Sequence, residues 1–271
     1  MDIIAKISEE LGIRKNQAEA AVKLIDEGNT IPFIARYRKE ATGALNDEVL
    51  RNLYERLTYL RNLEERKETV LAGIEEQGKL TDELKAQIMS AETMVVVEDL
   101  YRPYKPKRRT RATIAKEKGL EPLAGIITLQ MLNTSLEEEA EKFVDPEKEV
   151  TSAEDAIAGA KDIIAESISD EADYRSRIRD LTVKKGRVIS AAKDPEAESV
   201  YEMYYEFDEP VAKLAGHRIL ALNRGENEKF LTVKIEAPVE DILRYLEKKV
   251  IVRDNPQTTP VLKEVIEDAY D

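Results

Sequence analysis

The chain has 271 residues, 36% of them charged, with a formal charge of −13 and a pI near 4.9. The absence of cysteine excludes disulfides and thiolate metal sites, and a single histidine, His217, excludes a histidine metal cluster or a Ser-His-Asp triad. No apolar run reaches the roughly 18 residues a membrane helix needs, and MDIIAKISEE lacks the basic-then-apolar layout of a signal peptide, so a cytoplasmic protein with no membrane partner is expected.

From the start, Ile3, Ile4, Ile7 and Leu11 recur at helical spacing up to Gly12, and a second amphipathic helix from about Arg14 to Glu27 stops at Gly28. Such a pair is compatible with a DNA-reading helix-turn-helix, but plain helical hairpins are far commoner than DNA readers. Pro32 suits the first turn of a third helix, capped by Asn29 or Thr30. Ile31, Phe33, Ile34 and Tyr37 are read as its anchors, leaving Arg36, Arg38 and Lys39 as a cationic tip that meets either phosphates or neighbouring acids.

Asn46 caps the longest predicted helix, which runs to about Gln77 and ends at Gly78. Leu50, Leu53, Leu57 and Leu60 form a heptad seam, and Leu71 and Ile74 resume it. Between them the seam positions are Glu64 and Lys67, so the helix reads as apolar at both ends and polar in the middle. A further helix holds Leu84, Ile88 and Met89 behind Thr81, and Thr93 leads MVVVEDLY as a buried helix into a basic arm.

The arm is the strongest electrostatic feature. Arg102, Lys105, Lys107, Arg108, Arg109, Arg111, Lys116 and Lys118 stand against one acid, Glu117, a local charge of +7 in an acidic chain. Pro103 and Pro106 favour extended geometry, a helix begins near Thr110, and Gly119 is placed to end it. Arg102, Tyr104, Lys105, Lys107, Arg108, Arg109 and Arg111 are therefore candidate nucleic-acid contacts, through phosphates and stacking. The competing reading is an intramolecular strap whose cations fork onto the chain's own carboxylates. The acidic stretch Asn133 to Asp155 is one plausible mate for it, or a solvated face.

Helices follow over Glu121 to Met131 and Ser135 to Val144. Ser152 caps a clean amphipathic helix with Ala156, Ile157, Ala160, Ile163, Ile164 and Ile168 on one face, and Glu171 to Lys185 forms the next. Composition shifts after Gly186. Asp194 to Glu209 carries no Lys or Arg and crowds Tyr201, Tyr204, Tyr205 and Phe207, an arrangement that repels phosphate and reads as core or protein-facing. Arg218 to Asn223 is read as a helix ending near Gly225, Phe230 to Ile235 alternates as a strand, Pro238 opens another helix and Thr259-Pro260 the last.

Three of these stretches, TIPFIARYRKEATGAL, EDLYRPYKPKRRTRATIAKEKGLEPLA and GHRILALNRGE, resemble the N-terminal part of the Tex family of bacterial transcription accessory proteins. The resemblance spans essentially the whole chain. It implies a nucleic-acid-associated module of the transcription apparatus. Family members continue into an RNase H-like domain, helix-hairpin-helix elements and a C-terminal RNA-binding OB-fold, none of which is visible, so a fragment is expected. Its implied partners are RNA or DNA, the transcription machinery and the missing domains of the same chain.

The expected fold is mostly α, a multi-helix scaffold with one long helix at about 46–77 and a small β element near 187–235. Two regions are drawn, a helical 1–186 and a mixed 187–271. Phosphate loops and HExxH, EF-hand or GxSxG motifs do not occur. The acidic pairs Glu98-Asp99 and Asp208-Glu209 are what chance supplies in a chain with 55 acids, so neither an enzyme nor a cofactor is expected.

Overall fold

The computed structural model describes all 271 residues and is 67% helical, with fifteen α-helices and one three-stranded antiparallel sheet. Two compact units divide the chain, Met1–Tyr104 and Lys105–Asp271. The composition shift at residue 187 marks the first strand and lies inside the second unit.

The first unit holds α1 (Ile3–Leu11), α2 (Lys15–Asp26), α3 (Ile31–Tyr37), α4 (Lys39–Thr42), α5 (Asp47–Glu76), α6 (Asp82–Ser90) and α7 (Met94–Tyr101). Asn46 accepts from the Val49 N–H at 2.8 Å, satisfying one of the orphan donors that open α5. At 30 residues, α5 is about 45 Å long and forms the spine of the unit. Leu50, Leu53, Leu57, Leu60, Leu63, Val70 and Ile74 run continuously into one core with Ile7, Ala18, Ala21 and Ile34.

The middle of α5 is not a polar gap, because Leu63 and Val70 continue the seam and Lys67 itself is 1% exposed. Tyr37 is no anchor; at the last position of α3 it is 62% exposed, with its ring against Phe33. Met89 faces outward on a helix whose buried face is Leu84 and Ile88. Thr30 precedes α3, yet neither it nor Asn29 caps that helix through its side chain: Asn29 turns its amide back onto Leu24 O.

The second unit comprises α8 (Arg111–Glu117), α9 (Glu121–Leu129), α10 (Leu136–Glu141), α11 (Ala153–Asp170), α12 (Ala172–Lys185), β1 (Arg187–Ala192), β2 (Glu206–Pro210), α13 (Gly216–Asn227), β3 (Leu231–Glu236), α14 (Val239–Val250) and α15 (Thr259–Tyr270). Central α11 packs against α8, α9, α10, α12 and α15. Small residues let α8 approach it closely: a Cβ on Gly159 would fall 3.2 Å from Ala115 Cβ and 2.3 Å from Leu120 Cδ1.

The sheet runs β2-β1-β3, with Ser190 opposite both Phe207 and Val233. Val188, Tyr201, Tyr204, Leu222 and Leu231 give it a separate small core, while Ile242, Leu246, Leu262 and Val265 of α14 and α15 join the helical one. Helix α13 does not stop near Gly225 but runs on to Asn227. Gly225 is a packing position: a Cβ there would sit 2.6 Å from Leu231 Cδ1.

Candidate nucleic-acid interface

The basic arm leaves the first unit through a 3-10 turn over Arg102–Tyr104. Tyr104 is half-buried against the core of that unit, and its carbonyl accepts from Gln77 Nε2 at 2.8 Å, so its ring is not a free stacking platform. Arg102 and Lys105 are exposed.

In the second unit the arm turns onto carboxylates. Lys107 pairs with Asp170, whose side chain is 9% exposed, and lies 3.4 Å from Glu166. Arg109 donates to Glu117 at 2.8 Å. Thr110 caps α8 by accepting from the Thr113 N–H, which directs Arg111 across to α11. There Arg111 lies 3.4 Å from Asp162 and 3.0 Å from Asp268 of α15. Lys118 donates to the Glu149 carbonyl at 3.2 Å and lies 3.7 Å from the Glu149 carboxylate, joining the arm to the acidic stretch 133–155. Arg108 is exposed and has no carboxylate partner.

Asp162, Glu166 and Asp170 are spaced four residues apart, so α11 presents an acidic stripe beside its apolar face. Burial pushes the Asp162 carboxyl above its ordinary range; Arg111 pulls it down and Asp268 adds to the rise. The periodic acids were visible in the sequence, but Lys107 and Asp170 lie 63 residues apart and Arg111 and Asp268 157, so their pairing with the arm is not a local signal.

The tip is built differently. Arg36, Tyr37, Arg38 and Lys39 are all exposed at the corner between α3 and α4, around a hollow of about 460 Å³ that also takes in Glu40 and Ala41. The Tyr37 ring leans on Phe33 at 5.3 Å, and the Arg38 guanidinium lies over the same Phe33 at 5.4 Å. No carboxylate pairs with Arg36, Arg38 or Lys39. Gln17 of α2 donates to the carbonyls of Thr42 (3.2 Å) and Gly43 (3.1 Å), pinning the corner, and Arg14, absent from the sequence-derived set, lies against Gly43.

The acidic pairs are engaged with arginines: Glu98 with Arg66, Asp208 with Arg187 and Glu209 with Arg218, each at 2.6 Å. No group of three metal-ligating side chains gathers anywhere in the chain, and no helix is long and apolar enough to cross a membrane.

Residues 1–75 match the family model of the Tex-like protein N-terminal domain, and residues 133–259 match that of the Tex central region. The arm lies between the two matches. The chain is 48% identical to the uncharacterized protein YdcI of Bacillus subtilis, over 98% of this chain and 37% of that protein. It is 43% identical to the transcriptional accessory protein Tex of Neisseria gonorrhoeae, over 89% of this chain and 32% of the relative. More distantly, it is 29% identical to the human S1 RNA-binding domain-containing protein 1, over 86% of this chain and 24% of that protein. The chain thus spans about a third of the length of the bacterial relatives it matches.

Proposed function

Because the chain belongs to the Tex family of transcription accessory proteins, we propose that it forms the helical scaffold of a nucleic-acid-associated module acting in the cytoplasm, with no catalytic role of its own. Within it the basic arm is chiefly an internal brace. The observation that carries this reading is the seating of Lys107 and Arg111 on Asp170, Asp162 and Asp268. Removing the cation from a 9%-exposed carboxylate takes away close charge compensation where water supplies little in its place. The α1–α2 pair serves packing, through Ala18, Ala21 and Val22.

The test is the Lys107→Ala/Arg111→Ala double variant. Allowing for the exposure of Arg111, it should lose about 2 kcal/mol and melt roughly 4–8 °C lower, while any weak binding of nucleic acid keeps its salt dependence. The second reading, a phosphate contact through the arm, is favoured by Arg108, which is exposed and unpaired. It expects the reverse: an unchanged melting temperature with a flattened salt slope. Either pattern decides between the two.

A further inference from the structure

We propose that the α3–α4 corner is a contact site for single-stranded nucleic acid, with Tyr37 as its stacking platform and Arg36, Lys39 and Arg14 meeting phosphates. The inference rests on the reading of the module as nucleic-acid-associated and locates that contact away from the arm.

Three observations converge on the corner. First, Tyr37 is the most exposed aromatic side chain of the protein at 62%, and Phe33 behind it fixes the tilt of its ring. A ring already held in place loses little rotamer freedom when a base stacks on it. Second, the neighbouring cations have no carboxylate partner. Lys107, Arg109 and Arg111 of the arm are each occupied by carboxylates, whereas Arg36, Arg38 and Lys39 fall within four consecutive residues and have none. Glu40 is the one acid in the hollow. Third, the mount is rigid. Pro32 sits in the first turn of α3, Gly43 takes the left-handed φ of 62° that ends α4, and Gln17 ties that end to α2.

The chemistry selects the ligand. An acidic peptide would satisfy the cations but leave the tyrosine face in water. Duplex DNA would satisfy them too, while its bases stay stacked on one another. An unpaired strand uses both components, a phosphate every nucleotide and a base face beside it. The formal charge of −13 opposes approach, so the contact is weak and depends on salt.

The experiment is a fluorescence-anisotropy titration of the whole 271-residue chain with a labelled single-stranded homopolymer of about 12 nucleotides. The variants are Tyr37→Ala, Tyr37→Phe and Arg36→Ala/Lys39→Ala, with melting temperature followed for each. The changed side chains are exposed, so melting should not move. Tyr37→Ala should weaken binding by about fivefold or more, and Tyr37→Phe, which keeps the ring, should stay within about twofold. The double cation variant should flatten the salt slope by about 0.7 for each phosphate that is no longer neutralised. If the chain binds the strand and none of these variants changes the affinity, the corner is not the site, although the module still associates with nucleic acid. No binding by the unaltered chain, even at low salt, would overturn the corner site and the nucleic-acid reading together. Equal competition by polyglutamate, or tighter binding of a duplex that ignores Tyr37→Ala, would reduce the corner to a general anion patch and overturn the proposal.

Discussion

Lys67 Nζ lies 2.8 Å from Oε1 of Glu64, one turn earlier on α5, with the lysine side chain 1% exposed and the glutamate 23%. The same ammonium donates to the Met89 carbonyl at 2.9 Å, joining the long helix to the end of α6. Lys67→Ala removes both bonds and opens a cavity in the seam. A loss of about 2–3 kcal/mol in urea unfolding is expected, below the full cost of a broken buried pair because Glu64 is partly hydrated. Lys67→Met keeps the volume and removes the need to bury a charge, and should cost less than about 1 kcal/mol. A methionine variant as unstable as the alanine one would show that the charge, not the packing, holds this position.

Two helical glycines should respond oppositely to the same substitution. In Gly225→Ala the new methyl meets Leu231 at 2.6 and 2.9 Å and Tyr201 at 3.1 Å. Overpacking outweighs the gain in helix propensity, and a net loss of about 1–2 kcal/mol is expected. At Gly125 of α9 nothing lies within 4 Å of the added atom. Gly125→Ala should therefore stabilise, by about 0.5–1 kcal/mol. Paired thermal melts of the two variants check the contrast.

The raised Asp162 carboxyl sets a pH dependence of one sign. A group whose folded pKa exceeds its unfolded value of about 3.9 contributes stability that is complete below that value and lost as pH rises through the folded pKa. Asp162→Asn should therefore be more favourable, relative to the unaltered chain, at pH 7 than at pH 3. Arg111→Ala removes the cation that holds the carboxyl down, and should raise its titration midpoint further. Side-chain carboxyl NMR follows the midpoint directly, and a midpoint moving down on loss of Arg111 would contradict the pairing.

In the first unit the sign reverses. Arg56 forks onto Glu10 at 2.6 and 2.8 Å, and Arg61 onto Asp26 at 2.7 and 2.9 Å. Hydrogen bonds from these guanidiniums hold both carboxyls below their ordinary values, against a smaller opposing effect of burial. Their contribution is present above the unfolded pKa values, about 4.3 and 3.9, and disappears as pH falls through the lowered ones. Arg56→Ala/Arg61→Ala should lower stability at pH 7 by only about 1 kcal/mol, because both pairs are wet. The gap between variant and unaltered chain should close as pH falls below about 4, as acid titrations of unfolding would record.

Much of the helical frame was legible because its signals are local. Asn46, Thr81, Thr93 and Ser152 each cap the helix that their position in the sequence announces. Gly12, Gly28, Gly78 and Gly119 each take a positive φ where a helix stops. Lys67 was misread because its charge suggests solvent, while a long aliphatic stem with Glu64 and a carbonyl at its end fits a core. Gly225 was read as a stop because glycine ends helices more often than it fits one beneath a leucine. Tyr37 shares the helical phase of Ile34, but it is the last residue of α3, with the helix ending at Arg38 (φ −125°, ψ 26°), and its ring meets Phe33 rather than the core. The partners of the arm could not be read at all. Asp162, Asp170 and Asp268 become its neighbours only when α8, α11 and α15 pack together.

The acidic stripe on α11 changes what the arm can offer to a phosphate. Carboxylates tethered to the same chain stand beside Lys107 and Arg111 at an effective concentration on the order of millimolar, and no diffusing ligand has to be supplied to keep them there. A polyanion that reaches for these two cations must compete with a resident occupant, so its apparent affinity falls by the fraction of time the brace is closed. The unaltered arm is thus a poor guide to affinity: its charge count overstates the cations within reach of solution, and Arg108 is the part of the Lys107 to Arg111 segment that the protein has not already answered.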